Sequence, residues 1–226
     1  MIYVYILEEA LPLEWNILWT IIVIPIIIFS IRNYKDFKTE NENVISAMII
    51  SFIGMVFLTI VSVKYGNPVI NGNGIPTVIL GFNASVFITI PVLIFIKIFS
   101  GVGGFLSIGT NLFAIAVCGP FVGYHFFKVM EKRFPQLHPI NIALSIIITE
   151  VVSAVASCLQ LALAYHYPTF IECFIYNINL YLINYSLDFI LLSVIEIAVS
   201  IVFFKFIPQI KNNEEVEDNN KKEAKD

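Results

Sequence analysis

Six long apolar runs decide what this chain can become: residues 13–31, 44–63, 83–100, 106–130, 140–165 and 184–206. Each is near the ~20 residues that carry a helix across about 30 Å of hydrocarbon. None shows the period-two alternation of a barrel strand. Hydrophobic residues make up 58% of the 226 and charged residues 13%, about half the charged share of a soluble domain. Polar surface that sparse cannot cover a water-soluble fold, so lipid is the expected solvent.

Residues 64–82 interrupt the pattern. They read KYGNPVINGNGIPTVILGF, and Asn, Gly and Pro through position 76 make a loop that no helix accommodates. The apolar remainder, 75–82, rises only about 10–12 Å as a helix. Positive charge settles its role. Lys and Arg cluster after the first run (Arg32, Lys35, Lys38), after the fourth (Lys128, Lys132, Arg133) and after the last (Lys205, Lys211, Lys221, Lys222, Lys225). All three clusters fall on the cytoplasmic side only if 75–82 counts as a short crossing. The expectation is an all-α membrane bundle of seven crossings in the cell membrane, with the N-terminus outside and the C-terminus inside. Residues 1–12 form an extracytoplasmic leader, 13–207 the bundle, and 208–226 a cytoplasmic tail too polar to order itself. The leader carries Glu8 and Glu9 and no Lys or Arg, which is unlike a signal peptide.

Several function classes drop out. No basic patch suits nucleic acid. Cys118, Cys158 and Cys173 are odd in number and widely spaced, so neither a disulfide framework nor a thiolate metal knot is expected. No His-Glu-x-x-His pattern, Asp-rich pair or Gly-x-Ser-x-Gly elbow supports a membrane enzyme. The outward segments hold Glu8, Glu9, Glu14, Glu172 and His166, with Lys64 their one basic residue. Such a face suits a cation or neutral solute better than an anion, although the same bias follows from the positive-inside rule alone. Glu150, Gln160, Asp188 and Glu196 lie in or near spans, where polar groups are costly and face the bundle interior with partners.

Three stretches carry a resemblance. LPLEWNILW at 11–19 precedes Pro25; GGFLSIGTNLFAIAVCGPF occupies 103–121; LQLALA at 159–164 follows Glu150. Their order and spacing resemble the CbiM/NikM family, the substrate-capturing S components of cobalt and nickel energy-coupling-factor transporters. The resemblance implies a subunit that binds Co(II) or Ni(II) as cargo at its outer face and hydrolyses nothing itself. It implies an energy-coupling-factor transmembrane subunit, ATPase subunits and a small accessory membrane subunit as partners. In the family the metal is held by the terminal amine, an adjacent leader His and a loop His, a nitrogen set suited to these ions.

This chain departs from that pattern. Tyr5 stands near the place of the leader His and Val69 at the place of the loop His. The remaining candidate metal ligands are Glu8, Glu9, Asn71, Asn73, Asn111 and His166, largely oxygen donors of the kind harder cations prefer. Gly72 and Gly74 are expected to shape the loop, and its Asn residues are equally suited to turn-making. A second reading keeps the scaffold and changes the cargo or drops transport; a membrane enzyme is the remote third.

Overall fold

The computed structural model describes residues 6, 10–34, 42–64, 72–100, 105–165, 169–179 and 186–206. Among them the helices are α1 (Leu13–Tyr34), α2 (Glu42–Lys64), α3 (Gly74–Leu80), α4 (Phe82–Ser100), α5 (Ile108–Asn111), α6 (Gly119–Arg133), α7 (His138–Ala164), α8 (Phe170–Ile178) and α9 (Ser186–Phe206). A π-helical segment, Leu112–Cys118, fuses α5 to α6 as one span. Leu13–Asn33, Phe82–Phe99, Ile108–Arg133 and Pro135–Ala164 are long and apolar enough to cross a membrane. With 23 and 21 residues, α2 and α9 have the length as well. The tail expected at 208–226 lies outside the described residues.

The bundle is built for lipid. Large apolar side chains stand on its surface, among them Ile21, Phe29, Ile53, Phe57 and Ile98, while Asn16, Ser51, Thr77, Ser85, Thr89, Asn111, Thr149 and Gln160 are buried. Without water at that depth every interior polar group needs a protein partner. At nine residues, α8 rises only about 14 Å and cannot span. Its start is capped reciprocally: the Glu172 N–H donates to Thr169 Oγ1 at 3.2 Å, and the Thr169 hydroxyl donates to Glu172 at 2.8 Å.

Close approach of α6 and α7 depends on glycine. A Cβ placed on Gly119 would lie 2.0 Å from Ser153 Oγ and 2.5 Å from the Thr149 carbonyl oxygen. The second contact is backbone, so no rotamer change relieves it. Small residues bring spanning helices together because lipid supplies no hydrophobic drive between them.

The third crossing is half helix. Seven residues of α3 rise about 10 Å, and Gly81 then turns the chain into α4. Three neighbours fix where α3 begins. Asn73 bonds to Thr89, which stands eleven residues, about 16 Å, from the Ser100 end of α4. A Cβ on Gly72 would sit 2.9 Å from Met55 Cα, nine residues or about 14 Å from the Lys64 end of α2. Ile75 bonds to Glu196, ten residues or about 15 Å from either end of α9. The turn before α3 therefore lies near the middle of the bundle.

Gly119→Ala is expected to cost about 1–3 kcal/mol through overpacking, seen as a lower unfolding temperature of the detergent-purified protein. Adding Ser153→Ala should recover only part of it, because the Thr149 carbonyl contact remains.

Candidate functional site

The span from α5 to α6 is the spine to which both candidate segments attach. Its sequence explains why. Through Leu112–Cys118 the hydrogen bonds run in π register, and the Gly119 N–H reaches the Ala114 carbonyl. The next donor in that register would be residue 120, which is proline and has no N–H. The Ile115 carbonyl is left without its helical partner, and Asn73 Nδ2 donates to it. The other face of the same amide is used as well: the Ser85 and Thr89 hydroxyls donate to Asn73 Oδ1 at 2.8 and 2.9 Å. The Thr77 hydroxyl donates to the Asn73 carbonyl at 2.6 Å. One buried side chain thus links the turn, α4 and the π segment.

One turn away on the spine, about 5 Å along the axis, Asn111 holds the leader. The Ile6 N–H donates to Asn111 Oδ1 at 2.7 Å, and Asn111 Nδ2 donates to the Ile6 carbonyl at 3.1 Å. Nδ2 also lies 3.0 Å from the Ser107 carbonyl. A second tie fixes the other end of the leader: Asn16 Nδ2 donates to the Leu11 carbonyl at 3.2 Å, while the Thr110 hydroxyl donates to Asn16 Oδ1 at 2.8 Å. Gln160 Nε2 completes this layer by donating to the Thr110 carbonyl at 3.1 Å. Beside Asn111, the buried Lys97 ammonium donates to Ser107 Oγ at 3.3 Å.

Of the residues singled out from the sequence, Asn73 and Asn111 are fully buried with both amide atoms hydrogen-bonded inside the protein. They act here as cross-links. Gly72 has φ +71, the left-handed conformation glycine tolerates best, and it abuts α2. Gly74 has no such backbone need; it leaves room, since a Cβ there would lie 2.7 Å from Glu196 Oε1. Glu8, Glu9, Asn71 and His166 lie outside the described residues, as do Tyr5 and Val69. Among the described residues no group of three His, Cys, Asp or Glu is placed to hold a metal ion. In the layer formed by Asn16, Thr110 and Gln160, Gln160 was expected to face inward and does, while Asn16 and Thr110 escaped sequence reading. Asn16 lay within a quoted motif, yet nothing in the motif says whether its amide turns inward.

A multi-pass helical bundle with a half-helix at mid-depth is the architecture of a polytopic membrane protein, in which irregular backbone at depth is tolerated only where protein surrounds it. Residues 5–214 match CbiM, the cobalt uptake substrate-specific transmembrane region, and the chain belongs to that family. The putative cobalt transport protein CbiM 2 of Methanosphaerula palustris is 24% identical over 212 residues, 92% of this chain and 88% of the relative. The putative cobalt transport protein CbiM of Methanococcus voltae is 29% identical over 179 residues, 75% of this chain and 77% of the relative. A crystal structure of a truncated transition metal transporter shares the fold, with a TM-score of 0.69 at 18% identity, covering 89% of this chain and 99% of that one.

Asn73→Ala is expected to cost about 1–3 kcal/mol by orphaning the Ile115 carbonyl. Asn73→Asp should be worse, because it turns an acceptor toward that carbonyl. Adding Pro120→Ala to Asn73→Ala should restore a donor to the spine and recover stability. Thermal unfolding of the four proteins checks the ranking; an Asp variant as stable as the parent would contradict it.

Proposed function

We propose that this chain is the membrane-embedded capture subunit of an energy-coupling-factor importer for a divalent transition-metal ion, Co(II) or Ni(II). The observation that carries the reading is the joint anchoring of leader and turn. In a chain of the CbiM family, Ile6 is fixed by Asn111 and the 72–75 turn by Asn73 through Ile115, on successive turns of one span. These two anchors, one turn apart on the span, support a reading in which the segments that carry the ligands in the family pattern meet at one end of the bundle. In this reading that end is extracytoplasmic, the chain sits in the cell membrane, and the C-terminus faces the coupling and ATPase subunits, which hydrolyse the ATP. Glu8, Glu9, Asn71 and His166 are the proposed donors, and Asn73 and Asn111 hold the walls that present them.

Tyr5 and Val69 favour a second reading, in which the same scaffold takes a different cation. A donor set richer in oxygen binds Co(II) and Ni(II) less tightly than an amine–imidazole set and accepts harder ions. Equilibrium dialysis of the purified chain with Co(II), Ni(II), Mn(II) and Mg(II) separates the readings. Saturable Co(II) or Ni(II) binding is expected, together with radiolabelled Co(II) uptake when the chain is co-expressed with coupling and ATPase subunits in a cobalt-import-deficient strain. Saturation by Mn(II) or Mg(II) alone would move the assignment to the second reading, and no saturable binding of any of the four ions would remove both.

A further inference from the structure

The inward stripe of α9 is polar from end to end. Its exposed side chains, such as Ile190, Leu191, Val194 and Val202, are apolar, while every described α9 side chain that is buried is polar: Ser193, Glu196 and Ser200. At 100° per residue these three fall within about 60° of one another. The serines stand one turn to either side of Glu196, the spacing at which helix side chains meet. Buried hydroxyls in a span are commonly satisfied by the carbonyl one turn back, as Ser145, Thr149 and Ser157 of the neighbouring α7 are. Ser193 and Ser200 are not. Among the described residues neither Oγ has a hydrogen-bond partner, and neither has Glu196 Oε2. Glu196 Oε1 has only a shared one: the Ile75 N–H lies 3.1 Å from it and 3.3 Å from the Gly72 carbonyl.

A second carboxyl faces this stripe. A Cβ on Gly74 would lie 2.7 Å from Glu196 Oε1 and 2.9 Å from Ile146 Cγ2, so α7 and α9 come together across that glycine. Glu150, one turn along α7 from Ile146, is fully buried and close enough to act on Glu196 electrostatically. The elements packed against α9 are α7, α3 and α2. Their described ionisable side chains are His138, Glu150 and Cys158, all on α7, with no Lys or Arg among them. Open oxygens at this depth are costly, and two carboxyls raise the cost further. A bound cation removes both penalties.

We propose that Glu150 and Glu196, with the Ser193 and Ser200 hydroxyls, form a binding site for a monovalent alkali cation between α7 and α9. Carboxyl and hydroxyl oxygens are hard donors, which select hard ions. A divalent ion asks for more: among the described residues no third carboxylate, imidazole or thiol joins the pair. No residue of the leader or the loop takes part, so the site stands apart from the metal-capture reading.

The test measures binding of radiolabelled sodium and rubidium to the full-length chain in lipid nanodiscs, with choline holding the ionic strength constant. Saturable binding of at least one of the two ions is expected, and that ion should raise the unfolding temperature above its value in choline. Glu196→Gln, which keeps an oxygen for the Ile75 N–H, should abolish both effects. Ser193→Ala combined with Ser200→Ala should weaken binding about tenfold, the loss of one or two oxygen contacts. No saturable binding of either ion by the parent would overturn the proposal, since water or protons would then satisfy these oxygens. Undiminished binding in Glu196→Gln would overturn it as well, by placing the ion elsewhere. Should Glu196→Gln fail to fold, the double serine variant decides, and binding equal to the parent's would count against the site.

Discussion

Pro120 withdraws a backbone donor in the middle of a membrane span, and the Asn73 amide replaces it. In water the loss would be made good by solvent. In hydrocarbon an unpaired carbonyl costs several kcal/mol, so the span can hold this shape only with another segment beside it. The re-entrant turn is that segment. The dependence runs both ways: residues 72 and 73 are non-helical backbone at a depth where irregular backbone is tolerated only inside protein. Proline in the spine and asparagine in the turn are two halves of one solution, and the π register of Leu112–Cys118 decides which carbonyl is left over.

From that link the rest of the interior follows. A buried amide with both ends used needs hydroxyl neighbours, and α4 offers Ser85 and Thr89 at one-turn spacing. Hydroxyls and amides can face inward only if the helices approach closely, which is why the α6–α7 contact is closed by Gly119 against Thr149 and Ser153. The apolar side chains displaced from the centre lie on the surface, where lipid receives them at no cost. The same inversion explains why Lys97, Glu150 and Glu196 occur inside: the bundle already provides polar partners there, and the surface provides none.

Much of this was legible in the sequence. The apolar runs mark the spans because length and hydropathy alone decide whether a helix suits a bilayer, and the charge clusters required a short third crossing where α3 is found. Depth was not legible. Nothing in NGNGIPTVIL states that its turn sits near the level of Met55, Thr89 and Glu196, since that level is set by partners far away in sequence. Asn73 and Asn111 were picked out as candidate metal ligands, but composition cannot distinguish an amide that offers its oxygen to a cation from one whose oxygen is taken by Ser85, Thr89 or the Ile6 N–H. Glu196 was expected to be paired, and its main partner proved to be backbone, for which no residue type gives a signal.

The way the leader is held bears on how this chain departs from its family pattern. Asn111 recognises Ile6 through its N–H and its carbonyl, and Asn16 recognises Leu11 through its carbonyl. Those groups are the same whatever side chains the leader carries. A scaffold that grips backbone leaves the leader's side chains free to change while its path stays put. Tyr5 in place of a histidine is therefore a change of side chain that the backbone contacts at Ile6 and Leu11 do not read. The turn follows the same logic: Asn73 and Glu196 secure residues 73–75. Fold and ligand chemistry are separable here because different atoms specify them, so a bundle that retains the architecture of a cobalt-uptake protein can carry a different set of donors.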